Sequence, residues 1–303
     1  MMPASSLLAS LVCVVTLLVA PHVSAEEIVL RARYRPGDVY RLALNVSTTT
    51  EGTSKGLAGE SVDENVRLRY RASVVVLEVD GDGRPVRERH ARVSLTFDRP
   101  GESGSLFKEG VAYEVLRKDG IEVLLGNQRV EPTLEKTLAE ILEKQFEYTL
   151  EPALLEPGRA VDVGDSWQPD PSLARRFLLS RGIRVLEFGD GASATLRRKR
   201  DEEGRNGLVI DYRIPIARFE LTRMPPHTAA SRSEARLEGQ IRLASEPRTA
   251  PTSVTSNLTL SMSGVSTGTA QSVPWSVRSS TIVEKSSTLA QDLVRQDAGS
   301  SMP

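Results

Sequence analysis

Apolar and polar residues alternate along much of this chain. In Val66-Arg67-Leu68-Arg69-Tyr70-Arg71-Ala72 every second side chain is apolar and the others are Arg, the period of a strand with one face packed and one face wet. The same period recurs in Leu237-Glu238-Gly239-Gln240-Ile241-Arg242-Leu243, in Leu258-Thr259-Leu260-Ser261-Met262 and in Trp275-Ser276-Val277-Arg278. One-sided burial favours antiparallel pairing. Turn signals stand between the runs: Asp80-Gly81-Asp82-Gly83, Asp119-Gly120, Gly189-Asp190-Gly191 and Glu203-Gly204-Arg205-Asn206-Gly207. The pattern predicts a meander of about ten or more strands in two groups, residues 28–125 and 183–285.

Between the groups the period changes to that of a helix. Leu134, Leu138, Ile141, Leu142 and Phe146 form one stripe, which predicts a helix near 132–147 that opens at Pro132. A second helix is predicted near 171–181, capped by Asp170, opened by Pro171 and ended by Gly182. So few helices cannot cover ten apolar strand faces, so the sheet must curl over itself or pack in layers. The expected fold is mainly β (α+β): a strongly curved antiparallel sheet or open barrel around two central helices. A two-domain β-sandwich is the alternative.

The first 25 residues change the picture. An apolar run from Leu7 to Ala20 is followed by Val23-Ser24-Ala25 before Glu26, the layout of a secretory signal peptide, although its leading residues carry no Lys or Arg. The run is about 14 residues, short of the roughly 20 that span a bilayer. The expected organisation is a signal peptide at 1–25, one β-rich domain at 26–290 with a helical middle at about 131–182, and a flexible tail at 291–303. The mature chain is expected to be exported, periplasmic or extracellular, after cleavage near Ala25, with no transmembrane anchor.

Composition narrows the chemistry. Thirty-nine basic residues balance 40 acidic ones, which gives no electrostatic footprint for nucleic acid. The sole cysteine, Cys13, lies in the signal segment, as does His22, leaving His90 and His227. His90 reads as a solvated strand residue on a polar face shared with Glu88 and Arg92, and His227 as a loop residue. No metal site and no cofactor are expected, since zinc clusters, a P-loop and a dinucleotide fingerprint are all missing. Gly264-Val265-Ser266-Thr267-Gly268 spells a nucleophile elbow, but no histidine follows it. The Asp80 turn lacks a carboxylate at the twelfth position of a calcium loop. Arg197-Arg198-Lys199-Arg200 is neutralised at once by Asp201-Glu202-Glu203. Arg-rich strand faces and few aromatics disfavour an outer-membrane barrel.

Two segments carry a resemblance. Tyr34-Arg35-Pro36-Gly37-Asp38-Val39-Tyr40-Arg41 and Val161-Asp162-Val163-Gly164-Asp165-Ser166-Trp167 resemble the opening and mid-chain motifs of a family of exported bacterial β-rich proteins of unknown function. The family brings no assigned activity and no site residues. In layout the chain is also similar to periplasmic lipoprotein-carrier folds, which implies a curved sheet around an apolar cavity. The expected role is an exported, non-enzymatic envelope protein that binds an apolar or amphipathic ligand, lipid-like in kind, or a protein partner. Leu138, Leu142 and Phe146 are the expected lining. The alternatives are an extracellular structural or adhesive protein and a carboxylate-dependent hydrolase, for which Asp162 and Asp165 are the candidate pair.

Overall fold

The computed structural model describes residues 28, 30, 33–54, 61–106, 110–117, 120–126, 128–143, 150–200, 206–222, 228–243, 253–266 and 273–289. The proposed signal segment, Phe146, His227 and the expected tail lie outside the described residues. The N-terminal half holds β1 (Val39–Ser54), β2 (Ser61–Val79), β3 (Pro85–Arg99), β4 (Glu102–Ser105), β5 (Val111–Arg117), β6 (Ile121–Leu125) and β7 (Gln128–Arg129). The middle holds α1 (Pro132–Leu142), α2 (Glu151–Leu155), β8 (Ser166–Trp167) and α3 (Pro171–Ser180). The C-terminal half holds β9 (Ile183–Phe188), β10 (Ser193–Arg200), β11 (Asn206–Leu221), β12 (Thr228–Arg242), β13 (Ser253–Ser266) and β14 (Val273–Leu289).

All the described strands join one antiparallel sheet of 14, in the order β7-β6-β5-β3-β2-β1-β14-β13-β12-β11-β10-β8, with β4 paired to β3 and β9 to β11. The expected mainly β fold with a helical middle is found. The sheet is open, since β7 and β8 end the path and do not meet. Both edge strands are two residues long, which blunts them against pairing with another chain. The first and last strands meet at the centre, from Tyr40 opposite Leu289 to Ser54 opposite Trp275.

One face of this sheet carries two apolar clusters. The N-terminal cluster gathers Leu42, Leu44, Tyr70, Val74, Leu95 and Val115 under Leu138, Ile141 and Leu142 of α1. The C-terminal cluster gathers Leu196, Ile210, Ile214, Phe219, Leu237 and Ile241 with Leu154 and Leu155 of α2 and Phe177 and Leu178 of α3. The N-terminal segment was expected to begin the first strand group. Instead the described residues before Val39 form no strand, and Ile28 and Leu30 belong to the C-terminal cluster while Tyr34 joins the N-terminal one.

The helices follow their sequence signals. Asp170 accepts from the Ser172 and Leu173 amides at the start of α3, and Glu131 does the same for Thr133 and Leu134 at the start of α1. The described part of α1 ends at Leu142, short of the expected 147, and α2 is a further single-turn helix that the apolar period did not reveal.

Gly239 shows how tightly the C-terminal half closes. A Cβ there would stand 2.1 Å from the Thr255 carbonyl oxygen and 2.6 Å from the Tyr212 hydroxyl. Gly239→Ala is expected to destabilise the fold by about 1–3 kcal/mol through overpacking. Gly81→Ala, with nothing within 4 Å, is expected to be neutral. Urea midpoints of the two variants check this, and equal midpoints would refute the packing account.

Candidate functional site

Burial of the core-facing residues along β14 is interrupted midway. Lys285 and Val283 are 3% and 8% exposed, Thr281 and Ser279 are half-buried and Val277 is 38% exposed, and beyond it Trp275 packs half-buried on the C-terminal cluster and Val273 is buried. The neighbouring strands repeat this: Val46 is buried on β1 while Thr48 and Thr50 are half-buried, as are Leu258 and Leu260 on β13 and Val66 and Leu68 on β2. The register sets Thr48 against Thr281 and Thr50 against Ser279, and their hydroxyls meet at 3.2 Å in each pair. A half-buried strip of hydroxyls flanked by apolar side chains, the trough, therefore runs between the two clusters. Among the described elements α1 packs beside β6 and α3 beside β9, and no helix makes an extended contact with β1 or β14.

At the closed end of this trough lies a group of buried ionisable side chains. Glu88 and His90 of β3 are fully buried, which corrects the expectation of a solvated face. The reason is a bulge. The register shifts between His90 and Val93, and Arg92 takes φ 52°, so Glu88 and His90 face the core before the break while Val93 and Leu95 face it after, and Arg92 is turned out. Tyr40 donates its hydroxyl to Glu88 Oε1 at 2.5 Å. The Tyr70 hydroxyl contacts His90 Nδ1 at 2.7 Å and the Tyr113 hydroxyl at 2.5 Å, and the His90 ring stacks on that of Tyr113. Arg117 Nε and His90 Nε2 approach Glu88 Oε2 at 3.4 and 3.5 Å.

These contacts set the charges. Burial pushes the Glu88 carboxyl up, but the His90 contact, the Arg117 charge and the Tyr40 hydroxyl outweigh it and hold the group at about 2. Burial draws the Lys285 ammonium down to about 7, against a weaker upward pull from Glu88. The C-terminal cluster has a parallel arrangement, in which Glu151 at the start of α2 accepts from the Tyr212 hydroxyl. Burial raises Glu151, and the Tyr212 and Arg181 contacts only partly oppose that.

The residues singled out in the sequence fall as follows. Leu138 and Leu142 are fully buried packing in the N-terminal cluster, away from the open end of the trough. Asp162 and Asp165 form an exposed turn: Asp165 accepts from the Asp162 amide at 3.2 Å, and Gly164 takes φ 104°. The rest of that motif is also structural, since Trp167 donates its indole N–H to the Leu155 carbonyl and Ser166 meets Thr195 at 2.8 Å. Gly264, Val265 and Ser266 stay in strand β13, where a Cβ on Gly264 would stand 1.9 Å from the Ala229 carbonyl oxygen, and Thr267 and Gly268 lie outside the described residues. Asp80 caps its own hairpin through the Asp82 and Arg84 amides. Arg197 and Lys199 pair with Asp211.

No family model matches the chain, and no curated protein matches it. Among solved structures it is similar to the chain studied in work on lipid–protein interactions in lipovitellin, at 11% identity and a TM-score of 0.31. That match covers 84% of this chain and 26% of the other, so this chain spans about a quarter of the lipovitellin chain's length. It is also similar to a LolA-superfamily protein from Nitrosomonas europaea, at 8% identity and a TM-score of 0.11, over 85% of this chain and 88% of that one. Scores this low carry no argument about ligand or mechanism.

Two pH effects are expected. The Glu88 contribution is complete above its ordinary value of 4.5 and is lost as pH falls toward about 2, because the unfolded chain protonates first. Glu88→Gln should therefore cost about 3 kcal/mol at pH 7 and flatten the acid limb of a stability–pH curve. Lys285 acts in the opposite sense, since its folded value of about 7 lies below the ordinary 10.5 and the unfolded chain holds more protons between them. Stability should rise with pH across that window, and Lys285→Met should raise the urea midpoint at pH 7 and abolish the rise. A wild-type slope retained in the variant would assign it to other groups.

Proposed function

We propose that this is an exported, non-enzymatic binding protein of the cell envelope that holds an apolar or amphipathic ligand, lipid-like in kind, in the trough along β14. The observation that carries this reading is a break in the burial of one continuous inner face, closed at Lys285, most open at Val277 and covered again at Trp275 and Val273. A fully covered core would bury Val277, Leu258 and Leu260 alike, and a wholly wet face would not retain them. The hydroxyl strip of Thr48, Thr50, Ser279 and Thr281 gives the floor polar partners for an ester, amide or head group, while the flanking apolar side chains take the chain of the ligand.

Export rests on the layout of residues 1–25 and non-enzymatic action on the placement of the candidate groups. Glu88, His90 and Glu151 are sealed inside the two clusters, where a substrate does not reach them, and Asp162 and Asp165 serve a turn. A soluble carrier of an amphipath needs a rigid sheet with one open strip, and neither a nucleophile nor a metal.

The test is displacement of a fluorescent long-chain fatty acid from the purified protein, with native mass spectrometry of protein taken from its own envelope. The wild type is expected to bind the fatty acid and to retain an extractable ligand. Val277→Lys is expected to weaken binding at least about tenfold at an unchanged urea midpoint, because it places a charge on the open apolar strip. A clean apo mass together with no binding of the fatty acid would sink the reading.

A further inference from the structure

The opposite face of the same strands carries a cleft of about 630 Å3, within the size range of a small-molecule site. Alternation decides which side chains reach it. Thr50, Val277 and Met262 face the clusters, so their neighbours Glu51, Arg278 and Ser261 point the other way. Register then lays a row across adjacent strands: Asp63 opposite Glu51, Glu51 opposite Arg278, Arg278 opposite Ser261, and Ser261 opposite Glu234. A second row sets Thr53 against Ser276, Ser276 against Ser263, and Ser263 against Arg232.

Some charges of the sheet pair with one another, and those at the centre of this cleft do not. Elsewhere Arg87 and Arg89 share Glu114, and Arg197 and Lys199 share Asp211. At the edge of the cleft Arg232 is held by Glu234 at 3.3 Å. Among the described residues Asp63, Glu51 and Arg278 join no ion pair and no side-chain hydrogen bond. Moreover, Asp63 and Glu51 stand directly opposite each other, a like-charge pair that Arg278, opposite Glu51 on its other side, offsets only in part.

A simple cation drawn to the two carboxylates would meet Arg278 one strand away, and a simple anion drawn to Arg278 would meet the carboxylates. A ligand with both charges satisfies all three. We propose that the cleft binds a zwitterion of the phosphoethanolamine class, its ammonium between Asp63 and Glu51 and its oxyanion on Arg278. Neighbouring strands lie about 4.8 Å apart, which suits an ammonium and a phosphate joined by two carbons. Ser263, beside Arg278 in the second row, supplies a hydroxyl donor to the same oxyanion, and Ser276 can add one where it accepts from the Thr53 hydroxyl at 2.9 Å. The cleft opens on the other face from the trough, and Val277 and Met262 line it as well.

The test titrates the full chain with O-phosphoethanolamine, ethanolamine and inorganic phosphate in separate calorimetric runs. The zwitterion is expected to bind at least about tenfold more tightly than either half. Arg278→Gln and the double variant Glu51→Gln/Asp63→Asn should each lose at least about tenfold in affinity, with circular dichroism as in the parent and, for the double variant, a urea midpoint no lower than the parent's. Sedimentation with phosphatidylethanolamine vesicles and not with phosphatidylglycerol vesicles assigns a lipid head group as the source, and binding of the free zwitterion alone assigns a soluble one. Ethanolamine binding as tightly as phosphoethanolamine, variants that bind like the parent, or no binding in any arm overturns the proposal. Because Val277 lines this cleft as well, fatty acid displacement is also measured in Arg278→Gln, which should bind the fatty acid as the parent does.

Discussion

The pairing of β1 with β14 is the constraint on which the rest of this molecule depends. It joins Tyr40 to Leu289 and Ser54 to Trp275, so the two ends of the chain must meet before the sheet is continuous. Closing so long a loop is entropically expensive and makes folding slow, because few contacts reward it until the strands are in place. Without it the halves would each present a long strand edge with an apolar face, β1 in one and β14 in the other, the arrangement that invites aggregation. With it, the path ends only at β7 and β8. The segment at residues 28–34 supports the same seam, since Ile28 and Leu30 belong to the C-terminal cluster and Tyr34 to the N-terminal one.

The buried carboxylates make sense as guardians of this arrangement. Each cluster holds one, and each is bound by a tyrosine hydroxyl from a long strand: Tyr40 of β1 on Glu88, and Tyr212 of β11 on Glu151. Such pairs add little net stability, because desolvation offsets most of the attraction, but losing one partner strands a charge in the core. A one-residue slip of β1 would point Tyr40 outward and leave Glu88 short of a donor. Tyr40 belongs to the Tyr34–Arg41 motif, whose turn is itself tied down: Asp38 accepts from the Arg35 amide, and Gly37 donates to the Val76 carbonyl. That motif therefore sets the register of the first strand and delivers the hydroxyl that checks it.

Much of the fold was legible because strand alternation and turn residues are local signals. The strands in both halves, the Asp80 hairpin, the Pro132 and Pro171 helix starts and the Asp170 cap all stand where the sequence places them. The inward turn of Glu88 and His90 was not legible from their polarity. Alternation counted from Glu88 through His90 to Arg92 gives one polar face, whereas Val93, Leu95 and Phe97 occupy the opposite parity. That change of parity within one strand was the available signal of a bulge, and a bulge decides which set is inside. The trough and the cleft were beyond reach for a different reason. Both depend on which strands are neighbours, and pairing of β1 with β14 has no local trace in either strand.

Strand β14 links the chemistry of the two faces. Its odd-numbered residues, Val277, Ser279, Thr281, Val283 and Lys285, look into the trough, and its even-numbered Ser276 and Arg278 look into the cleft. A slip by one residue against β1 and β13 would exchange them, putting Arg278 on the apolar floor and Val277 among the carboxylates. The two surfaces are therefore not separate inventions on one scaffold but alternate readings of a single strand. The hydroxyl pairs Thr48–Thr281 and Thr50–Ser279 sit at the point where this matters most. They hold the register by side-chain bonds in the stretch where burial no longer does. Register there is set by polar contacts on a half-open face, which are weaker than a packed core and leave the stretch of β14 from Val277 to Thr281 the least firmly held of its inner face.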